Sequence, residues 1–232
     1  MEAPSFKPLI DRAYSFDEAQ QSALEQGHIT EEEWYDNHTR HFTEHYLASD
    51  NPRGQSGHSG DEQHYFHSHL MIINAIHKDG TFIDVGCANG YLMESLARWT
   101  QALGCYSIDW YGLDISEELI ALAAARLPEW RERLFVGNAL YWTPPIAPYD
   151  FVCVKELGYV PAAKQQMLFE HLLHHCLAPN GRLILGPYSE ERQFKELEMK
   201  LTEWGYRPSG YFEKSHPKHP QLARRLLWFD RS

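Results

Sequence analysis

Residues 82–92 read Phe82-Ile83-Asp84-Val85-Gly86-Cys87-Ala88-Asn89-Gly90-Tyr91-Leu92, and this run restricts the fold more than any other. A short apolar stretch holding one acid meets small residues at every second place: Gly86, Ala88 and Gly90. From Tyr91 to Ala97 the apolar residues take helical spacing. The pattern predicts a strand, a tight turn and a helix. Small residues in such a turn let a ligand lie against bare backbone.

From Thr81 onward the chain alternates the two periodicities. The pattern predicts strands near 81–86, 108–114, 132–137, 149–155, 181–186, 206–214 and 223–230, and helices near 90–102, 116–127, 162–177 and 190–204. Such alternation implies a parallel sheet covered on both faces. The last two strands have no helix between them. The run His216-Pro217-Lys218-His219-Pro220 breaks the chain there, so they are expected to form an antiparallel pair at one edge. Residues 1–78 differ from the rest. Helices are expected over 15–26, 31–48 and 62–76, the second opened by a capping box at Thr30 and Glu33. The polar, glycine-rich run from Asn51 to Asp61 between the last two is a loop, and is expected to act as a lid.

Four further landmarks follow the glycine turn. Tyr111-Gly112-Leu113-Asp114-Ile115-Ser116 ends a strand on an acid, and one carboxylate can accept from two hydroxyls. Asp109 is a rival for that role, and Asp114 could instead cap the helix that opens near Ser116. Next come Phe135-Val136-Gly137-Asn138-Ala139-Leu140, then an apolar strand that delivers Lys155, Glu156 and Tyr159 to its carboxyl end. Last is Leu177-Ala178-Pro179-Asn180-Gly181-Arg182-Leu183. In this order, over about residues 81–186, they resemble the landmarks of the class I S-adenosylmethionine-dependent methyltransferases.

That resemblance implies a Rossmann-like sheet of seven strands, mostly parallel with the last antiparallel. It implies S-adenosylmethionine as cofactor, held by Asp84, Gly86, Cys87, Ala88, Gly90, Asp114, Ile115, Asn138, Ala139, Leu140 and Lys155. Asp84 would organise the turn and the methionine end, Asp114 would take the ribose hydroxyls, and Asn138 with the amides of Ala139 and Leu140 would meet the adenine. The chain departs from the family pattern at Ala88, Asn138 and Asn180, and in an insertion between Gln101 and Asp109. A nicotinamide dinucleotide is the rival ligand, but its turn wants a third glycine where Tyr91 stands.

Composition narrows the partners. A formal charge of −11 argues against broad contact with nucleic-acid phosphates. The run Lys155-Glu156-Leu157-Gly158 does not resemble the motif by which nucleic-acid amino-methyltransferases are known. No apolar run approaches a membrane span, and the first residues lack a signal peptide, so a cytoplasmic location is expected. The four cysteines, Cys87, Cys105, Cys153 and Cys176, lack metal-clip spacing. His38, His41 and His45 share a helix and His64, His67 and His69 lie close together, yet no metal site is expected from them. They read instead as a polar cap or as solvent-facing groups.

The expectation is a helical cap over residues 1–78 and a catalytic sheet over 79–232 that methylates a small molecule on oxygen or nitrogen by in-line transfer. Glu156, Tyr159 and His58 are the candidates for a general base, each with a bland alternative as helix-start acid, pocket wall or solvated loop residue. A cofactor-binding regulator without catalysis is the alternative function.

Overall fold

The computed structural model describes residues 7–146, 148–191, 195–216 and 221–231. Seven strands form one sheet: β1 Gly80–Val85, β2 Ile108–Asp114, β3 Leu134–Val136, β4 Tyr149–Val154, β5 Leu177–Glu191, β6 Gly210–Ser215 and β7 Leu222–Asp230. Their order is β3-β2-β1-β4-β5-β7-β6. The first five pair in parallel, and β7 runs antiparallel to both of its neighbours. Strand order therefore reverses between β1 and β4, which opens a crevice at their carboxyl ends.

Both faces of the sheet are buried, as the continuous apolar strands demand. Ile83, Val152, Leu183 and Leu227 point to one core with helix α6 (Gln165–His171). Phe82, Phe151, Ile184 and Leu226 point to the other, covered by α4 (Tyr91–Leu103) and by α3 (Glu62–His69) with the 3₁₀ turn Leu70–Ala75 that continues it. Two further helices, α1 (Lys7–Glu25) and α2 (Glu31–Leu47), precede them. Helix α5 (Glu117–Arg126) follows β2 and α7 (Glu196–Glu203) follows β5. The capping box of α2 is formed: the Thr30 hydroxyl accepts the Glu33 amide and Glu33 accepts the Thr30 amide at 2.7 Å.

Several boundaries differ from the sequence reading. The first helix starts at Lys7 rather than Ser15, and the third tightens to 3₁₀ geometry at Leu70, where its apolar residues Met71, Ile72 and Ala75 enter the core. The strand expected over 181–186 runs from Leu177 to Glu191, because β7 offers a pairing edge out to Glu191↔Leu222 past an irregularity between Leu185 and Tyr188. Helix α7 therefore begins at Glu196, not near 190, and β6 begins at Gly210 rather than 206. The chain break expected at His216–Pro220 lies, from Pro217 on, outside the described residues, as do the first six residues.

On the α7 side, Arg225 is only 4% exposed and meets three carboxylates: Glu190 at 3.1 Å, Glu198 at 3.2 Å and Glu213 at 2.7 Å. One charge thus joins β5, β6, β7 and α7.

Candidate active site

The turn after β1 takes the backbone that its small residues allow. Gly86, Ala88 and Gly90 all have positive φ, at 82°, 47° and 76°. The amides of Gly86 and Cys87 both donate to the Leu113 carbonyl, at 2.8 and 3.1 Å, so the turn is clamped onto the end of β2. The Asp114 carboxylate completes the clamp: Oδ2 accepts the Ala88 amide at 2.8 Å and Oδ1 the Ser116 amide at 2.9 Å. Ser116, not Asp114, caps α5, accepting from the Leu119 amide. Asp109 pairs with Thr81 at the opposite end of the strand and bonds Arg133, which removes it as the rival acid.

Two acids serve this turn, Asp84 at the end of β1 and Asp114 at the end of β2. Asp84 is 4% exposed, and burial, with the Asp114 charge second, raises its pKa to about 7. Burial also raises Asp114, against the pull of the Ser116, Ala88 and Ile115 amides.

A cavity of about 380 Å³ opens beside the turn. Its floor is Gly86, Asp114, Ile115, Asn138 and Ala139, and Glu156 and Tyr159 form the wall beyond β4. The roof is α1 and α2, through Asp17, Trp34, Tyr35, His38, Phe42 and Tyr46. His38 stacks on Trp34, with ring centroids 3.6 Å apart. Its Nδ1 lies 2.9 Å from the Trp34 carbonyl and its Nε2 3.2 Å from Asp17. Hydrogen bonds fasten the roof, beside an ion pair of Lys164 with Glu31 at 3.5 Å. Thr43 donates to Ser116 at 2.8 Å, Tyr141 to Glu31 at 3.2 Å, and the Ala162 amide to Gln21 at 3.1 Å. Four carboxylates line the cavity (Asp17, Glu18, Asp114 and Glu156), and among the described residues no lysine or arginine does.

The structure thus brings Gly86, Asp114, Ile115, Asn138, Ala139, Glu156 and Tyr159 together. Asp84, Cys87, Ala88, Gly90 and Leu140 stand behind that lining. Cys87 is a buried thiol raised well above its usual range by burial, and a Cβ on Gly112 would touch its sulfur. Lys155 is exposed and lies outside the cavity, and His58 packs on the other side against Tyr65 and His69. The Asn138 side-chain Oδ1 accepts the Leu140 amide at 3.0 Å. Tyr159 lies so close to the turn that a Cβ on Gly86 would come within 2.5 Å of its ring. Burial holds its hydroxyl well above the usual tyrosine value.

The roof residues Asp17 and Tyr35 were not legible in the sequence. Of the histidines on α2, His38 faces the cavity, whereas His41 stacks on Phe16 and His45 is exposed. Among the described residues, no group of three or more His, Cys, Asp or Glu side chains is placed to hold a metal ion. No described helix is long and apolar enough to cross a membrane.

Comparison with known proteins agrees with this geometry. Residues 82–181 match the family model described as a methyltransferase domain. A search of curated proteins gave no significant match. Among solved structures, the fold is shared with the 1,6-didemethyltoxoflavin-N1-methyltransferase of Burkholderia thailandensis, at 13% identity and TM-score 0.64 over 88% of this chain and 91% of that one. The N-methyltransferase NodS of Bradyrhizobium japonicum, solved with S-adenosylhomocysteine, aligns at 16% identity and TM-score 0.53 over 83% and 97%. Magnesium protoporphyrin IX methyltransferase of Synechocystis, solved with S-adenosylmethionine, aligns over the whole of both chains at 16% identity and TM-score 0.52. Residues 82–181 are thus similar to a methyltransferase domain, on a fold shared with methyltransferases solved with S-adenosylmethionine or S-adenosylhomocysteine.

Proposed function

We propose that the chain transfers a methyl group to a small-molecule acceptor, on oxygen or nitrogen, with residues 1–78 as cap and 79–232 as catalytic unit. The observation that carries this reading is the charge of the cavity: four carboxylates and no lysine or arginine among the described lining residues. Such walls suit a cationic sulfonium nucleoside and repel the diphosphate of a nicotinamide dinucleotide. Asp114 offers its remaining lone pairs to ribose hydroxyls, and Ile115, Asn138 and Ala139, which line the same cavity, meet the adenine. Asp84, buried behind the turn, supplies negative charge for the methionine ammonium.

When bound, S-adenosylmethionine supplies a methyl group already activated on sulfur, so the chain's task is alignment and exclusion of water. Trp34, Phe42 and Val160 provide apolar wall for that purpose. The Tyr159 hydroxyl stays protonated at neutral pH and serves as hydrogen-bond donor and wall. Glu156 is the carboxylate in the cavity beyond β4, and takes the proton of an acceptor that has one to lose. The small-molecule reading is supported by the roof that α1 and α2 lay over the cavity, and by the small-molecule acceptor named for the Burkholderia enzyme.

A labelled-methyl screen over metabolite extracts tests the proposal, with Asp114→Ala as control. Transfer of label to a low-molecular-weight product by the wild-type chain, lost in the variant, is the expected result. Cofactor binding without transfer to any fraction would favour a regulator instead.

A further inference from the structure

Beyond the cavity, the carboxyl ends of β4 and β5 and the adjoining start of β7 carry a second set of polar groups. Lys155 follows β4 directly, after Val154, which pairs with Leu185 of β5. Arg224 of β7 stands opposite Ser189 of β5 and Lys214 of β6. Successive strand residues face opposite ways, so Arg224 and Arg225 part. Arg225 turns to its three glutamates. Arg224 takes the face of Leu226, which packs with Tyr65, Met71 and Ile72. On that face Lys214 Nζ reaches the His67 carbonyl at 3.5 Å. His69 stacks on Tyr65 at 4.1 Å, and the His58 ring lies 5.0 Å from Tyr65 and 5.5 Å from His69.

The charges here are unbalanced. Arg182 has Asp230, Arg133 has Asp109 and Arg225 has three partners. Arg224 is partly buried, has no carboxylate at ion-pair distance among the described residues, and is shifted downward by burial alone. His58 Nε2 is buried without a hydrogen-bond partner. Besides burial, the charged groups acting most strongly on His58 are His64, Lys155, Arg224 and Arg53, and on His69 they are Lys155, His58 and Arg224. In a chain of net charge −11, this is a local cluster of cations. It lies at the carboxyl ends of the strands, where ligands of such sheets bind. A desolvated guanidinium without a counter-ion is costly, and its forked donors match an oxyanion.

We propose that Arg224 and Lys155, with the rings of His58 and His69, form a subsite for an oxyanion, a carboxylate or phosphate group carried by the methyl acceptor. The proposal rests on the methyltransferase reading and gives the acceptor a chemical class. Acidic walls on one side of the turn take the cationic nucleoside, and the basic cluster on the other takes an anionic acceptor.

The test uses the full chain saturated with S-adenosylhomocysteine, whose binding is first measured by calorimetry. Inorganic phosphate and acetate are then titrated separately at constant ionic strength, read by the imidazole carbon–proton NMR signals of His58 and His69. The expected result is a saturable shift of both signals, with the tighter anion naming the acceptor's group. Arg224→Gln should weaken that anion by at least about tenfold, as loss of a charge-assisted hydrogen bond does, and Arg224→Lys should restore part of it. Melting temperature and S-adenosylhomocysteine affinity should stay close to wild type in both variants. Shifts that fail to saturate, or that survive Arg224→Gln unchanged, overturn the subsite. Loss of S-adenosylhomocysteine affinity in a folded Arg224→Gln overturns it too, because the cations would then serve the cofactor's own carboxylate. If S-adenosylhomocysteine does not bind the wild type, the methyltransferase reading fails. The same anion titration on the free chain then still decides whether the cluster holds an oxyanion.

Discussion

The Asp114 carboxylate accepts the Ala88 amide proton at 2.8 Å, so the acid that ends the second strand also fixes the turn that ends the first. The two parts of the candidate cofactor site, bare turn and acid, are thereby one mechanical unit. Ala88 sits at φ 47° within it, a backbone that alanine adopts only when its surroundings hold it there.

Gly86→Ala should break this unit. The added methyl would require φ near +82° and would meet the Tyr159 ring at 2.5 Å. A cost on the order of 1–3 kcal/mol is expected from the backbone alone, with Tyr159 displaced into the cavity. Gly158→Ala, with nothing within 4 Å of the new methyl, is the control and should change stability by no more than about 0.5 kcal/mol. Urea denaturation of both variants checks this.

Asp84 makes stability depend on pH in an unusual direction. Its folded pKa of about 7 exceeds its unfolded value near 3.8. The folded state therefore binds more protons between those two values, and stability falls as pH rises through that window. Asp84→Asn removes the effect. The variant should be more stable than wild type at about pH 8, by a few kcal/mol at most, and the gap should close toward about pH 4. Because a bound ammonium favours the ionised acid, S-adenosylhomocysteine should bind wild type more tightly at about pH 8 than at about pH 6. Asp84→Asn should flatten that dependence in calorimetry.

Arg225→Gln removes the guanidinium that joins Glu190, Glu198 and Glu213. Removing one member of a buried ionic group costs about 3–5 kcal/mol. Burial already raises the pKa of Glu190. Protonation should therefore relieve the variant as pH falls toward about 5, and the loss seen at about pH 7 should shrink. Guanidinium denaturation at the two pH values reads both numbers.

The loop from Asn51 to Asp61 touches the cofactor turn directly, since Asn89 donates to the Pro52 carbonyl at 2.8 Å. Its Arg53 side chain donates to the Gly60 carbonyl at 2.5 Å. A ligand that steadies the turn should steady this loop. Saturating S-adenosylhomocysteine is expected to slow tryptic cleavage after Arg53 by at least about fivefold. Equal cleavage rates with and without it would remove the lid role.

The parts of this architecture that depend on neighbours in sequence were readable from it. The turn at 86–90 announces itself because only small residues tolerate that backbone, and the alternation of strand and helix implied the sheet. Choosing Asp114 over Asp109 needed the register, in which Asp109 pairs with Thr81 at the wrong end. The extension of β5 to Glu191 depends on an edge offered by Leu222, thirty-one positions on, which no local periodicity records. The roof was half visible. Trp34, His38, Phe42 and Tyr46 recur at helical spacing, but Asp17 and Tyr35 read as ordinary helix surface until α1 and α2 are fastened over β2 and β4 by Thr43, Tyr141 and Gln21. The cluster around Arg224 was hidden for the same reason, since Lys155, His58 and Arg224 are far apart in the chain.

Calorimetric titration of S-adenosylhomocysteine into the wild-type chain and into Asp114→Ala tests the central claim most directly. The account predicts saturable binding to the wild type. It predicts a loss of about 10- to 100-fold in the variant, the range expected for charge-assisted hydrogen bonds to the ribose, with the variant still folded by circular dichroism. A wild-type chain that takes up no S-adenosylhomocysteine, or a folded Asp114→Ala that binds it equally well, would contradict the account.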